Sequence, residues 1–237
     1  MQDKFIGAGP IVCVHGAGAG GWEWGIWARM FNVHGFDVMA PDLMPVTAGL
    51  AATQFADYRA QVVAWCAASP GKSILAGASL GGLLALSAAA EVEPMALVLV
   101  NPVPPRGIAG MRTRTWLPVV TWSRDRSLTG TRGAMPDSDD GARMYAYRRW
   151  RDESGAVLDA AQTGIDCSVP GCPILVLTSA DDKDVPPATS RALATWLGAD
   201  FELVQQASHV GPLLGRDAPS AAERVCGWLQ RRVPARI

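Results

Sequence analysis

The feature that most constrains the fold is a regular alternation of short apolar runs with longer helical patterns. The apolar runs, which are rich in Val, Ile and Leu, lie at 11–14, 36–39, 73–76, 96–100, 174–177 and 201–204. The helical patterns cover about 24–32, 53–68, 80–90, 187–197 and 219–231. Strands that alternate with helices form a parallel sheet, because each return to the same edge needs a crossover. The sequence therefore predicts an α/β protein with a doubly wound, mostly parallel sheet.

Connections between parallel strands are right-handed, which leaves few possible orders for these six strands. We expect them to lie in the order 2-1-3-4-5-6, numbered along the chain. The winding direction then changes between strands 1 and 3, and open α/β sheets bind ligands at such a switch point. Because His15-Gly16 follows strand 1 and Ser79 follows strand 3, the functional site is predicted there.

One stretch, from residue 102 to residue 166, interrupts the alternation and contains no convincing strand. Ten arginines and seven acidic residues lie between positions 101 and 165, together with Trp116, Trp122 and Trp150. An unstructured loop of this length is improbable in a compact domain. We therefore predict a single domain over residues 1–237 with a helical lid inserted at 102–166.

The composition excludes several classes of function. The formal net charge is −1, which provides no electrostatic footprint for nucleic acid or for an anionic membrane surface. No apolar run approaches the roughly 18 residues that a membrane-spanning helix needs. The five cysteines include no C-x-x-C pair, and no signal-peptide pattern is present. These features favour a reduced, cytoplasmic protein that acts on a small molecule, and they leave its oligomeric state open.

The strongest chemical motif is Gly77-x-Ser79-x-Gly81, which lies between an apolar strand and a helix rich in Ala and Leu. A sharp turn at this place forces the serine into a strained backbone conformation and exposes its hydroxyl above the sheet. Glycines are needed on either side, because side chains there would collide with the neighbouring strand and helix. The pattern predicts Ser79 as a nucleophile.

A serine hydroxyl is a poor nucleophile at neutral pH and needs a general base. In this arrangement the chain order is serine, acid, histidine, so the base must follow Ser79. His209 is the only one of the three histidines that does so, and it lies in a loop just beyond the last strand. His209 is therefore the predicted base.

The base needs an acid that orients its ring and stabilises its charged form. Three aspartates, Asp181, Asp182 and Asp184, follow the strand at 174–177. Asp182 is favoured because D-x-x-V-P places it in the tight turn after the strand, while Asp181 and Asp184 remain alternatives. The other possible acid position holds Asn101, and an amide cannot serve as this acid.

The reaction also needs an oxyanion hole, which consists of backbone N–H groups directed at the developing negative oxygen. One N–H is expected from Leu80, the residue after the nucleophile, and the other from Ala17 in the loop after the first strand. His15 and Gly16 are expected to support that loop, with the histidine ring bonded to the loop backbone.

With these residues in place, the chain resembles the α/β-hydrolase fold superfamily. The segment His15-Gly16-Ala17-x-x-x-Gly21-Trp22-x-Trp24 is similar to the opening motif of small esterases and hydroxynitrile lyases. The resemblance implies a serine hydrolase that acts on a carboxylic ester through an acyl-enzyme. A lyase, a cyclase or a carbon–carbon bond hydrolase with the same triad is an alternative, as is a ligand-binding protein with little turnover.

A dinucleotide site is the main rival for the amino-terminal half, because Gly16-x-Gly18-x-x-Gly21 follows a strand. The next helix, however, opens with Trp22, Glu23 and Trp24, where pyrophosphate favours small, uncharged residues. We therefore expect no cofactor. No metal site is expected either, because the histidines are scattered and no Cys/His pair has ligand spacing.

Overall fold

The computed structural model describes residues 9–108 and 113–233. The ends of the predicted domain, residues 1–8 and 234–237, lie outside this part of the chain. The described strands are β1 (Ile11–Val14), β2 (Val38–Met39), β3 (Ile74–Ala78), β4 (Ala96–Val100), β5 (Val119–Val120), β6 (Glu153–Ser154), β7 (Ile174–Ser179) and β8 (Asp200–Val204).

Helices follow most of these strands. They are α1 (Gly25–Val33), α2 (Phe55–Ala67), α3 (Leu80–Val92), α4 (Leu128–Ala134), α5 (Asp140–Tyr147), α6 (Gly155–Thr163), α7 (Pro187–Leu197), α8 (Gly211–Leu214) and α9 (Ala218–Arg232). Two 3-10 helices, Gly21–Trp24 and Leu50–Ala52, precede α1 and α2. None of the helices in the described ranges has both the length and the apolar character that crossing a bilayer requires.

Six strands form one sheet in the order β2-β1-β3-β4-β7-β8, and all of their pairings are parallel. This is the predicted order of the six apolar runs. The second strand is shorter than its apolar run, because the Phe36 N–H bonds the Phe31 carbonyl at the end of α1 and the side chain of Phe36 is buried. Only Val38 and Met39 then pair with β1 at this edge of the sheet.

Alternate residues of each strand face opposite sides of the sheet, and helices cover both sides. Ile11 and Cys13 pack in the cluster that includes α1, α8 and α9. Val12 and Val14 pack in the cluster that includes α2, α3 and α7. The fold class is therefore confirmed: the sheet is doubly wound and parallel, and burial on both faces explains why its central strands are apolar throughout.

The segment between β4 and β7, residues 102–166, is called the inserted segment below. It contains α4, α5 and α6, and also an antiparallel pair in which β5 bonds β6. The prediction of no strand in this region was wrong for that pair, whose strands are two residues long and too short to show an alternation of side chains. Helix α6 packs on α2, and its Val157 and Ala161 are buried in the main core. The function of this segment as a lid remains a prediction.

Candidate active site

Ser79 lies in the tight turn that joins β3 to α3, with backbone angles φ 52° and ψ −118°. A positive φ is strained for a residue with a side chain, and such strain is typical of functional turns. A Cβ on Gly77 would overlap the carbonyl oxygen of Gly81, and a Cβ on Gly81 would overlap that of Val14. The turn therefore needs both glycines, and it places the serine hydroxyl beyond the carboxyl end of β3.

The loop of residues 205–210 that follows β8, called the histidine loop, brings His209 to this hydroxyl. The distance from His209 Nε2 to Ser79 Oγ is 2.8 Å. The other ring nitrogen, Nδ1, lies 2.7 Å from Oδ2 of Asp182. With a proton on Nδ1, the ring donates to the carboxylate and Nε2 accepts from the serine hydroxyl.

Asp182 is the aspartate that contacts the ring, and its side chain is fully buried. Its Oδ1 accepts hydrogen bonds from the backbone N–H groups of Asp184 and Val185, at 2.8 and 2.9 Å. The side chains of Asp181 and Asp184 are exposed at the surface of the same turn. A carboxylate that accepts this many hydrogen bonds is held in one orientation.

The pKa of His209 is higher than that of a free histidine. Burial works against the charged ring, but the hydrogen bond and the negative charge of Asp182 outweigh burial, with smaller contributions from Asp184 and Glu23. His15 shows the opposite behaviour, because burial lowers its pKa to about 4. The two histidines near the site therefore differ in their readiness to accept a proton.

The His15 ring links two loops. Its Nδ1 donates to the carbonyl of Gly16 at 2.8 Å, and its Nε2 accepts from the backbone N–H of Leu43 at 2.8 Å. These bonds use both ring nitrogens, so the ring holds the chain of residues 15–21, called the glycine-rich loop below. The predicted support residues His15 and Gly16 are thus bonded to each other.

Two buried glutamates flank the glycine-rich loop. The Gly16 N–H donates to Oε1 of Glu23 at 2.7 Å, and the Gly18 N–H donates to Oε2 of Glu153 at 3.1 Å. The N–H between them, that of Ala17, has no acceptor among the described residues, and neither has that of Leu80. Both Ala17 and Leu80 line the same cavity as Ser79 and His209.

Side-chain carboxyl groups therefore accept hydrogen bonds from the N–H groups of the glycine-rich loop that would otherwise bind a dinucleotide. In addition to Gly16 and Gly18, Gly21 donates its N–H to Asp42 at 2.8 Å. A dinucleotide loop binds pyrophosphate through backbone N–H groups of this kind. The third glycine also packs tightly, since a Cβ on Gly21 would overlap the carbonyl oxygen of Ala40.

Two polar residues hold the histidine loop, and neither was predicted from the sequence as a site residue. Asn101, at the end of β4, donates from Nδ2 to the carbonyl of His209 and to Ser179 Oγ. Asp137, from the inserted segment, accepts from the N–H and hydroxyl of Ser208 at 3.0 and 2.6 Å. The position of Asn101 beside the acid-bearing strand was a usable signal, whereas nothing in the sequence relates Asp137 to residue 208.

A cavity of about 600 Å³ opens above Ser79. The body of the fold contributes its floor, which includes Ala17, Ser79, Leu80 and His209. The inserted segment contributes most of the wall, including Trp116, Val120, Trp122, Trp150, Leu158 and Ala161. Pockets of this size and apolar character are typical of small-molecule sites.

Within the described ranges, one group of side chains has the spacing of metal ligands: Asp182, Asp184 and His209, whose ligand atoms lie within 4.8 Å of one another. Both ring nitrogens of His209 already face Ser79 and Asp182. The imidazole is therefore hydrogen-bonded to the hydroxyl through one ring nitrogen and to the carboxylate through the other, which leaves neither nitrogen free to bind an ion.

A family model described as the alpha/beta hydrolase family matches residues 11–225. A search of curated proteins finds no match. Among solved structures, tomato methylketone synthase I is similar with a TM-score of 0.72 and 15% identity, covering 95% of this chain and 98% of that chain. A pyrethroid hydrolase from Sphingobium faniae JZ-2 has a TM-score of 0.67 and 20% identity, covering 94% and 96%.

A thermophilic esterase from Thermogutta terrifontis is also similar, with a TM-score of 0.66 and 20% identity, and covers 96% of this chain and 92% of that chain. At these identities the similarity between the structures establishes the fold alone. The residues that could carry chemistry must therefore be judged from the geometry of this chain.

Proposed function

We propose that this chain, which belongs to the alpha/beta hydrolase family, is a serine hydrolase that cleaves carboxylic esters or related acyl substrates. Ser79 is the nucleophile, His209 the general base and Asp182 the acid. The observation that supports this most is the continuous run of hydrogen bonds from Ser79 through His209 to Asp182 at the floor of the cavity. Ala17 and Leu80 line the same cavity, and their N–H groups, which have no acceptor among the described residues, are proposed as the oxyanion hole.

In the first half of the reaction, Ser79 Oγ attacks the carbonyl carbon while its proton moves to Nε2 of His209. The carbonyl electron pair moves onto oxygen, and the N–H groups of Ala17 and Leu80 stabilise that charge. When the tetrahedral intermediate collapses, the bond to the alcohol oxygen breaks. The leaving alkoxide takes the proton from His209, and the acyl group stays on the serine.

In the second half, water takes the position of the alcohol. His209 removes a proton from the water as its oxygen attacks the acyl carbon, and the same N–H groups hold the second oxyanion. Collapse returns the proton to Ser79 Oγ and releases the carboxylic acid. Throughout, the Asp182 carboxylate stabilises the positively charged ring of His209, which agrees with the raised pKa of that histidine.

The experiment that tests this proposal is labelling with a fluorophosphonate, read by intact mass, together with turnover of p-nitrophenyl esters of graded chain length. We expect one adduct on the wild type and none on Ser79→Ala or His209→Ala. Ser87→Ala, in helix α3 after the turn that carries Ser79, and His34→Ala, whose partly buried ring bonds Glu223, are matched controls that should label normally.

Absence of an adduct on the wild type, or equal labelling of Ser79→Ala, would overturn the assignment of the nucleophile. Labelling without turnover of any ester would overturn ester hydrolysis. It would instead favour a lyase or a ligand-binding protein that uses the same side chains.

A further inference from the structure

Two buried carboxyl groups beside the proposed active site take no part in the reaction described above. Glu23, in the 3-10 helix before α1, and Glu153, in β6 of the inserted segment, are each 3% exposed. Burying a carboxyl group is costly unless hydrogen bonds compensate for the lost water. The partners of these two groups therefore indicate why they are there.

Glu153 is surrounded by donors. Its Oε2 accepts from the Gly18 N–H at 3.1 Å, and its Oε1 accepts from the Ser154 N–H at 2.8 Å and the Tyr58 hydroxyl at 3.0 Å. Both oxygens accept hydrogen bonds from these donors. Burial raises the pKa of Glu153, while the bonds from Ser154, Gly18 and Tyr58 and the charge of Arg151 oppose that shift. The inserted segment holds Gly18 a second time, because the Arg151 N–H donates to the Gly18 carbonyl at 2.7 Å.

Glu23 is held differently. Among the described residues, the Gly16 N–H is the one hydrogen-bond donor found for its carboxyl group. Burial raises the pKa of Glu23 to about 8, with the Gly16 N–H and the charge of His209 opposing the shift. The carbonyl oxygen of a neutral carboxylic acid can accept this hydrogen bond, as a carboxylate oxygen can. A neutral group here avoids a second negative charge beside an oxyanion.

These contacts fix both neighbours of Ala17. Glu23 holds the His15–Gly16 peptide plane and Glu153 holds the Ala17–Gly18 plane. The Gly16–Ala17 plane, which contains the Ala17 N–H, lies between them and therefore has little freedom to turn. The loop also lies close against the nucleophile, since a Cβ on Gly16 would come within 3.3 Å of Ser79 Cβ. On the other side of the loop, Trp122 packs against Gly18. The residue between these two glycines is Ala17, whose N–H has no acceptor among the described residues.

We infer that Glu23 and Glu153 are positioning residues for the oxyanion hole: they hold Gly16 and Gly18 so that the Ala17 N–H points at the substrate carbonyl. The inference rests on the proposed function. It adds that the inserted segment completes the oxyanion hole through Glu153. Losing one donor of an oxyanion hole lowers kcat about 100- to 1,000-fold, and misdirecting one has part of that effect.

The two glutamates should respond differently to replacement by glutamine. In Glu23→Gln the side-chain oxygen can still accept from Gly16, as the neutral acid does. In Glu153→Gln the amide NH₂ replaces one of the two accepting oxygens. It must then face either the Gly18 N–H or the Ser154 N–H and Tyr58 hydroxyl, all of which are donors, so a hydrogen bond is lost. Rescue by glutamine is therefore expected for Glu23 and not for Glu153.

The test measures kcat and KM for p-nitrophenyl esters, and the affinity for a trifluoromethyl ketone, which forms a tetrahedral adduct with an oxyanion. Glu23→Ala and Glu153→Gln should lower kcat about 10- to 100-fold, leave KM within about threefold, and weaken ketone binding in proportion. Glu23→Gln should stay within about threefold of wild-type kcat. Equal losses for Glu23→Ala and Glu23→Gln, or unchanged kcat in Glu153→Gln, would overturn the inference.

Tyr58→Phe separates positioning from stability, because it removes a buried hydrogen bond of Glu153 and leaves the Gly18 contact in place. We expect a lower melting temperature with kcat within about twofold of wild type. A loss of kcat in Tyr58→Phe as large as that in Glu153→Gln, at matched stability, would mean that Glu153 acts only structurally and would overturn its part of the inference.

Labelling of Ser79 distinguishes a failure of the proposed function from a failure of the positioning inference. If the wild type forms no fluorophosphonate adduct, the proposed function fails and the oxyanion assignment falls with it. If the wild type labels and turns over esters while the glutamate variants keep wild-type kcat and ketone affinity, only the positioning inference fails.

Discussion

The α/β body and the inserted segment contribute to the candidate site in different ways. The body positions Ser79 through its backbone: the Ser79 N–H donates to the Val100 carbonyl at 2.9 Å, and the Ser79 carbonyl accepts from the Gly82 N–H at 3.0 Å. The inserted segment acts through carboxylates, with Asp137 on the histidine loop and Glu153 on the glycine-rich loop. The body therefore places Ser79, Asp182 and His209, and the inserted segment adds hydrogen bonds that hold the two loops beside them.

The largest expected difference between the two regions is in their tolerance of a single methyl group. Gly81→Ala should lower the free energy of unfolding by about 3 kcal/mol or more, because the new Cβ overlaps backbone at Val14. Gly133→Ala, in α4, meets nothing within 4 Å and should raise it by about 0.5 kcal/mol. Urea unfolding measures both, and equal destabilisation would show that the two regions are packed alike.

The second prediction tests whether the inserted segment holds the base. Asp137→Ala leaves the buried N–H of Ser208 without its charged partner, so the histidine loop should lose its fixed position. We expect kcat/KM to fall roughly 10- to 100-fold, which corresponds to about 1.5–3 kcal/mol for a hydrogen bond to a charged group.

The neighbouring Asp139 is the matched control, because its carboxylate caps α5 through the Ala142 N–H. Asp139→Ala should cost about 1 kcal/mol of stability and leave kcat/KM unchanged. If both variants lose kcat/KM to the same extent, then the loss in Asp137→Ala does not come from the position of His209.

The third prediction concerns the wall that the inserted segment adds to the cavity. Trp122 packs on Gly18 and meets Trp116 edge to face, with their ring centroids 6.0 Å apart. Trp122→Ala should enlarge the cavity beside the glycine-rich loop and shift the ratio of kcat/KM between long and short p-nitrophenyl esters at least fivefold towards long ones. Trp196→Ala, on the exposed side of α7, is the control and should not change this ratio.

The smallest effect is expected within the body, on the pH dependence of the reaction. His209 must be neutral to act as a base, so kcat/KM should rise with pH through its raised pKa. Asp184→Asn removes a negative charge that favours the charged ring, so the pKa falls and the midpoint moves to lower pH by a few tenths of a unit.

Asp181→Asn, also exposed in the same turn, should leave the midpoint in place. A shift to higher pH in Asp184→Asn would mean that its carboxylate does not act on His209 through its charge.

Much of the body could be predicted from the sequence, since buried parallel strands leave apolar runs and the helices between them leave a regular spacing. The six apolar runs correspond to the six strands of the main sheet, in the expected order. The G-x-S-x-G motif predicted Ser79, chain order selected His209, and the D-x-x-V-P spacing favoured Asp182 over Asp181 and Asp184. The side chains of Ser79, Asp182 and His209 lie together in the structure. Their catalytic roles remain proposals.

The residues that hold the loops were not predictable in the same way. Glu153 stands in the charged run Arg151-Asp152-Glu153, which has the pattern of an exposed surface, yet its partner Gly18 is 135 residues away. Glu23 lies between Trp22 and Trp24 in the sequence, but there it indicated only that a dinucleotide site is disfavoured. Asn101 was rejected as the acid because its side chain is an amide. Its hydrogen bond to the carbonyl of His209 depends on how β4 and β7 lie side by side.

The sequence by itself determined the α/β class, the positions of the main strands along the chain and the turn that carries Ser79, because each depends on the local spacing of apolar residues and glycines. Only the tertiary structure decided that buried carboxyl groups from distant segments hold the glycine-rich and histidine loops. The physical reason is that a buried carboxyl group is stable only where donors converge on it. Such convergence brings together residues far apart in the chain, so it leaves no periodic trace in the sequence.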